Sequence, residues 1–228
     1  MAESLMKGLA TRGHRVDVVS HFPLEVSVPN CTDISLKGTL PISPNVSIAF
    51  MQSNPFVSVE RMAHAGGLTA CSLLGHPKLQ EILRDPLTYP PYDLVIVEVF
   101  MAPCYLAVGR HLSLPMVGVS ALRDWLSESI GSPQATAFVP NVFSGYSQGM
   151  NFWERLVNIV EHAVYSMQLN YYTECQNEFV RKHVDPAIPD VRQLYGDLAL
   201  LLVNSHHSMQ RIGALAPAVV EQPDDEGR

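Results

Sequence analysis

The sequence lacks several features that define common functional classes. No apolar run approaches the ~20 residues of a membrane-spanning helix, and the longest, 198–203, has the length of a strand. The 15 Lys and Arg residues form no cluster and the net charge is −7, so we predict no binding to nucleic acid. The first residues have neither a basic nor an apolar leader, which predicts no secretory signal in this chain.

Motifs for metals and nucleotide phosphates are also missing from the sequence. It contains no C-x-x-C pair, no H-E-x-x-H and no glycine-rich phosphate turn. We therefore predict no metal ion and no tightly bound cofactor. The four cysteines, Cys31, Cys71, Cys104 and Cys175, are widely spaced, and we predict that they are buried free thiols.

Alternating helices and apolar strands predict an α/β fold. A helix over 3–12 runs into a strand over 15–20, so we expect a further strand upstream of residue 1. A strand over 92–99, a helix over 104–112 and a strand over 114–120 form a βαβ unit. Ligands are expected beyond the carboxyl ends of these strands, near 98–103 and 120–124. A last buried strand is predicted over 197–204.

Two helical regions complete the predicted elements. One extends over 57–83 and is interrupted at Gly75-His76-Pro77, and a long helix covers 151–183. Apolar residues of the long helix recur at spacings of three and four, which predicts that one face is buried. These residues are Phe152, Leu156, Ile159, Ala163, Val164 and Met167.

A G-x-S-x-G match, Gly145 to Gly149, suggests a serine hydrolase with Ser147 as its nucleophile. Asp190 and His206 or His207 follow it in the order of an α/β-hydrolase. A nucleophile elbow needs a buried strand before the serine, and Pro140 lies where that strand would need its N–H. We therefore keep the hydrolase only as a remote alternative.

Two N-glycosylation sequons begin at Asn30 and Asn45, in a region rich in Pro, Ser and Asn. Such triplets are acceptors only in a secretory compartment. They are candidate glycosylation sites and suggest a lumenal origin.

Four segments together resemble the amino-terminal half of family-1 UDP-glycosyltransferases, in particular the insect-type glucosyl- and glucuronosyltransferases. They lie at 3–23, 92–98, 150–158 and 200–206, and they include Arg12-Gly13-His14, Tyr92-Asp93-Leu94-Val95-Ile96-Val97-Glu98 and Asn151-Phe152-Trp153-Glu154-Arg155. The resemblance implies the N-terminal half of a GT-B enzyme, a Rossmann-like parallel sheet with helices on both faces. It places an acceptor-binding domain, without its first strand, at 1–208 and a divergent, disordered tail at 209–228.

The family's mechanism implies roles for particular residues. A histidine deprotonates the acceptor hydroxyl, and a carboxylate orients that histidine. The histidine is expected before residue 1, and the carboxylate aligns at or near Glu98, so this fragment alone is expected to be inactive. Acceptor contacts are implied for loop residues near the strand ends and the long helix. They are Phe100, Met101, Ser120, Trp125, Phe138, Met150 and Phe152.

The resemblance also implies the substrates and the location. The parent would transfer a hexose or glucuronic acid from a UDP-sugar, held mainly by an absent C-terminal domain, to a small lipophilic acceptor. It would be a membrane-associated detoxification enzyme of the endoplasmic reticulum lumen. The alternative is a non-catalytic module that binds small lipophiles or pairs with a donor domain. Self-association is a further expectation.

Overall fold

One helix and two parallel strands form the first of two compact units, Met1–Pro44. The computed structural model describes residues 2–24, 26–40, 55–84, 92–121, 128–132, 135–141, 144–147, 149–204 and 215–221. Helix α1, Ala2–Thr11, ends at Gly13, whose φ of 93° lets it occupy the left-handed region that closes the helix. Strand β1, Val16–Ser20, follows as predicted. It pairs in parallel with β2, Cys31–Ser35, a strand that the sequence analysis missed.

The second unit, Asn45–Arg228, contains a four-stranded parallel sheet. Its strands are β3 (Val95–Glu98), β4 (Met116–Ser120), β5 (Leu198–Val203) and β6 (Val219–Glu221), in that order across the sheet. This sheet confirms the predicted α/β class with parallel strands flanked by helices. Strand β6 lies in the segment that we expected to be a disordered tail. That expectation is wrong for 215–221, because backbone hydrogen bonds hold β6 against β5; residues 205–214 and 222–228 lie outside the described residues.

Helices before and after β3 pack around this sheet. The chain from residue 55 forms α2 (Pro55–Met62), a π-helical turn (Ala63–Leu68), α3 (Thr69–Cys71) and a 3₁₀ turn (Ser72–Gly75). Helix α4, Pro77–Arg84, then starts at a proline, which suits the first turn of a helix. The predicted interruption at Gly75-His76-Pro77 is thus confirmed. Helix α5, Leu106–His111, connects β3 to β4.

A single long helix, α6, extends over Phe152–His183 and confirms the predicted element. Its predicted buried face is wrong, since Phe152, Leu156, Ile159, Ala163 and Met167 are exposed. The side chains that α6 buries are Asn158, Tyr165, Gln176, Asn177 and Val180. Buried amides can be accommodated here because each finds backbone or side-chain partners.

Two of the four cysteines form a disulfide, Cys71–Cys104, and both are fully buried. The prediction of four free thiols is therefore wrong for this pair. Cys31 and Cys175 are free thiols as predicted, but they are half-buried rather than buried. Spacing could not reveal the bridge, because its partners are 33 residues apart and meet only through the fold. The bridge ties α3 to the segment between β3 and α5.

The core of the second unit lies between the sheet and these helices. Its largest fully buried side chains include Leu74, Leu106, Met116, Leu194 and Leu201. Helix α5 approaches β4 closely, and a Cβ at Gly109 would collide with the Met116 side chain. The core thus fixes β3 and the segment that follows it, where the candidate site lies.

Candidate functional site

A cavity of about 280 Å³ lies beyond the carboxyl end of β3, in the region where the sequence predicts ligands. Two elements supply most of its wall, the loop 99–104 after β3 and the segment 166–176 of α6. The lining residues are Ala63, Phe100, Met101, Pro103, Ser129, Ser166, Leu169, Asn170, Tyr172, Thr173, Gln176, Arg192 and Tyr195. The wall therefore mixes aromatic and aliphatic surface with hydroxyl and amide groups.

The loop 99–104 is placed by the alternation of β3. Val97 and Val99 point into the core, so Glu98 faces away from it. Val99 extends the strand pairing by donating its N–H to the Val119 carbonyl at 2.8 Å. The chain then turns, and Phe100 and Met101 line the cavity before the buried Cys104.

The charged group at the cavity is compensated by its neighbours. Arg192 donates from Nε to Asp190 Oδ1 at 2.7 Å, and its Nη2 contacts the carboxylates of both Asp190 and Glu174. Arg192 lowers the pKa of Asp190 below its usual range, mainly through these side-chain hydrogen bonds. Because two carboxylates surround this guanidinium, it offers no free positive charge to a ligand.

Two tyrosines line the same cavity and stay protonated at neutral pH. Burial raises the pKa of Tyr195 well above its usual value. Burial and the Glu60 carboxylate raise the pKa of Tyr172. The cavity thus presents neutral hydroxyl and amide groups beside apolar surface, a lining that suits an uncharged ligand with few polar groups.

The structure brings only two of the predicted acceptor residues, Phe100 and Met101, into the cavity wall. Ser120 and Met150 are buried, while Phe138 and Phe152 have 64% and 70% of their surface exposed. Trp125 lies outside the described residues. The acceptor role of all seven residues stays a prediction.

Glu98, the predicted orienting carboxylate, is the last residue of β3 and lies opposite Val119 of β4. Its side chain is exposed and does not line the cavity. Its catalytic role also stays a prediction.

Several curated proteins align with this sequence along nearly its whole length. The chain is 30% identical over 97% of its residues to UDP-glucosyltransferase 2 of Dactylopius coccus. The chain is homologous to UDP-glycosyltransferases. It spans 44% of that relative, which is less than half of its length.

Other UDP-glycosyltransferases match the same chain at lower identity or over shorter stretches. UDP-glycosyltransferase UGT4 of Dactylopius coccus is 24% identical over 96% of the chain, which spans 44% of that protein. UDP-glucuronosyltransferase 1A9 of Mus musculus is 32% identical over 50% of the chain, which spans 22% of that protein. No family model and no solved structure matches the chain. The parallel α/β fold is consistent with the N-terminal half of a GT-B enzyme.

The remote alternative, a serine hydrolase, finds little support in the structure. The described residues between 135 and 147 form no strand ahead of Ser147, so no nucleophile elbow is seen there. Asp190, the proposed triad acid, is bound to Arg192 and Asn177. His206 and His207 lie outside the described residues.

The cavity residues of α6 and those that follow it were not predicted from the sequence. Ser166, Asn170, Thr173 and Gln176 recur at helical spacing, which could have indicated a polar stripe on one face of α6. Arg192 and Tyr195 carried no signal, because only the return of the chain toward β5 brings them to the cavity.

Two further sequence predictions concern metals and membranes. In the described part of the chain, His, Cys, Asp and Glu form no cluster that could hold a metal ion. Among the same residues, we find no helix long and apolar enough to cross a bilayer.

Of the two candidate glycosylation sites, Asn30 is exposed, has a positive φ of 63° and directly precedes β2, while Asn45 lies outside the described residues. Glycosylation at both positions stays a prediction.

Proposed function

We propose that this chain is the acceptor-side half of a UDP-glycosyltransferase that transfers a hexose or glucuronic acid to a small lipophilic acceptor. Homology to UDP-glycosyltransferases supports the reaction class. The observation that carries the acceptor role is the cavity beyond β3, which two of the implied acceptor residues line and whose one arginine is paired with carboxylates. In α/β folds, ligands bind at this end of the strands.

The size of the cavity favours a small acceptor. Its volume of about 280 Å³ lies at the lower limit of ligand pockets, which span roughly 300–1,000 Å³. One or two fused rings fit such a space. We therefore propose a simple phenol or a hydroxylated fused-ring compound as the acceptor class.

The UDP-sugar is proposed to bind mainly to the part of the family's length that this chain does not span. A base that takes the acceptor proton contributes about 10²–10⁴ in rate, and we propose Glu98 as the carboxylate that orients it. Residues 1–228 alone should therefore bind the acceptor without transferring sugar.

A location in the endoplasmic reticulum lumen is proposed for the parent protein. The Cys71–Cys104 bridge supports an oxidising compartment, because disulfides are rare in the cytosol. The exposed Asn30 sequon supports the same location. The alternative, a non-catalytic binding module, shares the cavity and differs only in its lack of a donor domain.

Equilibrium dialysis with 4-methylumbelliferone, a fused-ring phenol, tests the acceptor site. Thr173→Trp fills the cavity from α6 and should weaken binding at least about tenfold, since a ligand cannot share occupied volume. Glu178→Trp, on the exposed surface of the same helix, is the matched control and should bind as the wild type does. Equal affinity of the two variants would overturn the assignment of this cavity.

Incubation of residues 1–228 with UDP-glucose or UDP-glucuronate and the same phenol tests the proposal that this chain alone transfers no sugar. No glucoside or glucuronide is expected. Product formed by this chain alone would show that the donor site lies within it, against the proposal.

A further inference from the structure

We propose that Gln176 is a positioning residue for the acceptor cavity, which it serves by fixing the loop 99–104. The proposal rests on the function proposed above. Gln176 lies in the last third of α6 and has only 1% of its surface exposed. A buried amide is costly unless its donor and its acceptor are both satisfied, so its partners are informative.

Both ends of the Gln176 amide bind the main chain of the same loop. Nε2 donates to the Met101 carbonyl at 2.7 Å, and Oε1 accepts from the Cys104 N–H at 3.4 Å. The two loop residues are three apart and flank Ala102 and Pro103. One side chain therefore sets both sides of the turn that presents Phe100 and Met101 to the cavity.

The π-helical turn gives Gln176 the room to reach this loop. A Cβ on Gly67 would lie 2.8 Å from the Met101 carbonyl oxygen and 3.0 Å from Gln176 Nε2. Only a residue without a side chain fits between them. π-helical turns occur mainly at functional sites, and this one borders the cavity through Ala63.

The disulfide fixes the far end of the loop but does not replace the amide. Cys71 Sγ lies 3.2 Å from Gln176 Oε1, so the bridge and the amide pack together. The bridge holds the Cys104 side chain, whereas the hydrogen bonds orient the main chain at Met101 and Cys104. We infer that loss of the amide frees Phe100 and Met101 to move while the fold persists.

Gln176→Leu keeps the volume of the side chain and removes both hydrogen bonds. We expect its affinity for 4-methylumbelliferone to fall about fivefold to tenfold, and amide hydrogen exchange of 99–105 to accelerate by at least as much. Gln80→Leu is the matched control, since Gln80 Nε2 also donates to two carbonyls, those of Leu74 and His183, each at 2.7 Å. Gln80 does not line the cavity, so its variant should keep wild-type affinity and wild-type exchange of 99–105.

Gln176→Glu separates positioning from a general loss of stability. The protonated carboxyl can donate to the Met101 carbonyl, whereas the carboxylate cannot, so affinity should approach the wild-type value in acid. It should fall as the pH rises through the pKa of the new carboxyl, which burial raises. Gln80→Glu, compared with the wild type at each pH, should show no such dependence.

Each result has a defined meaning. Wild-type exchange of 99–105 in Gln176→Leu, or equal loss of affinity in Gln80→Leu, would overturn the positioning role. If the wild type binds no 4-methylumbelliferone, the proposed acceptor site fails, and hydrogen exchange alone decides whether Gln176 holds the loop.

Discussion

At the scale of single residues, Asp190 connects the cavity to the segment that follows α6. Its carboxylate accepts hydrogen bonds from Asn177 Nδ2 and from the backbone N–H and side chain of Arg192. Asn177 in turn accepts from the Val191 N–H at 2.9 Å. The group therefore holds Arg192 against the cavity and pairs its guanidinium with a carboxylate.

The stability of this group should depend on pH. The pKa of Asp190 is lower in the folded chain than in the unfolded one, mainly because Arg192 donates to the carboxylate. Its contribution is therefore present above the unfolded value, about 3.9, and is lost as the pH falls below it. Asp190→Asn should lower the urea midpoint at pH 7, and this difference should shrink toward pH 3.

Glu174→Gln gives the comparison for this prediction. The Glu174 side chain is 53% exposed, and exposed ion pairs contribute about 0–1 kcal/mol to stability. Glu174→Gln should therefore lower the urea midpoint less than Asp190→Asn does. A constant gap between Asp190→Asn and the wild type from pH 7 to pH 3 would contradict the prediction.

At the scale of elements, α6 begins at a complete capping box. Asn151 Oδ1 accepts from the N–H groups of Trp153 and Glu154, and Glu154 accepts from the Asn151 N–H at 2.8 Å. These bonds satisfy donors that the first helical turn leaves unpaired. The start of this long helix is thus specified by Asn151 and Glu154, which are three positions apart, the spacing of a capping box.

Asn151→Ala should reduce the free energy of unfolding by about 1 kcal/mol, since the side-chain acceptor is lost. Asn151→Asp keeps an acceptor and should stay within a few tenths of the wild type. Urea unfolding followed by circular dichroism measures both. Equal losses in the two variants would show that the cap contributes little.

The elements themselves were largely readable from the sequence, because apolar strands and capped helices carry local signals. Strand β2 was missed since Cys31-Thr32-Asp33-Ile34-Ser35 has no apolar alternation, and its pairing with β1 is set by the fold. The buried face of α6 was misassigned because apolar spacing identifies an apolar face of a helix but does not show which face packs against the rest of the fold. Asn158 illustrates this, since its partners are the carbonyls of Thr136 and Val139 in a distant loop.

At the scale of the whole molecule, the site was only partly predictable. The part of the site at the end of β3 could be predicted, since parallel strands place ligands beyond their carboxyl ends. The opposite wall of the cavity could not be predicted, because it depends on how α6 and the segment near Arg192 fold back on the loop 99–104. Such long-range packing leaves no periodic signal in the chain.

The Cys71–Cys104 bridge should be a major source of stability for the second unit. Closing a loop of 33 residues contributes about 3–4 kcal/mol in the chain-entropy model. The double variant Cys71→Ala/Cys104→Ala should lose about this much in urea unfolding. Cys31→Ala/Cys175→Ala, which removes the two free thiols, is its matched control.

Alkylation of unfolded protein checks the pairing itself. Without reduction only Cys31 and Cys175 should react, and after reduction all four cysteines should. Four reactive cysteines before reduction, in protein purified from an oxidising compartment, would contradict the bridge.

The π-helical turn at Ala63–Leu68 constrains which changes of chain length the molecule can tolerate. A π-helical turn has i→i+5 hydrogen bonds and so holds about one residue more than an α-helical turn. Deletion of one residue from this turn should therefore be absorbed by a return to α-helical pairing. An added residue has no such outlet and would turn Cys71 by about 100° around the helix axis, so that its sulfur points away from Cys104. Between Met62 and Cys71 the chain should accept shortening by one residue more readily than lengthening.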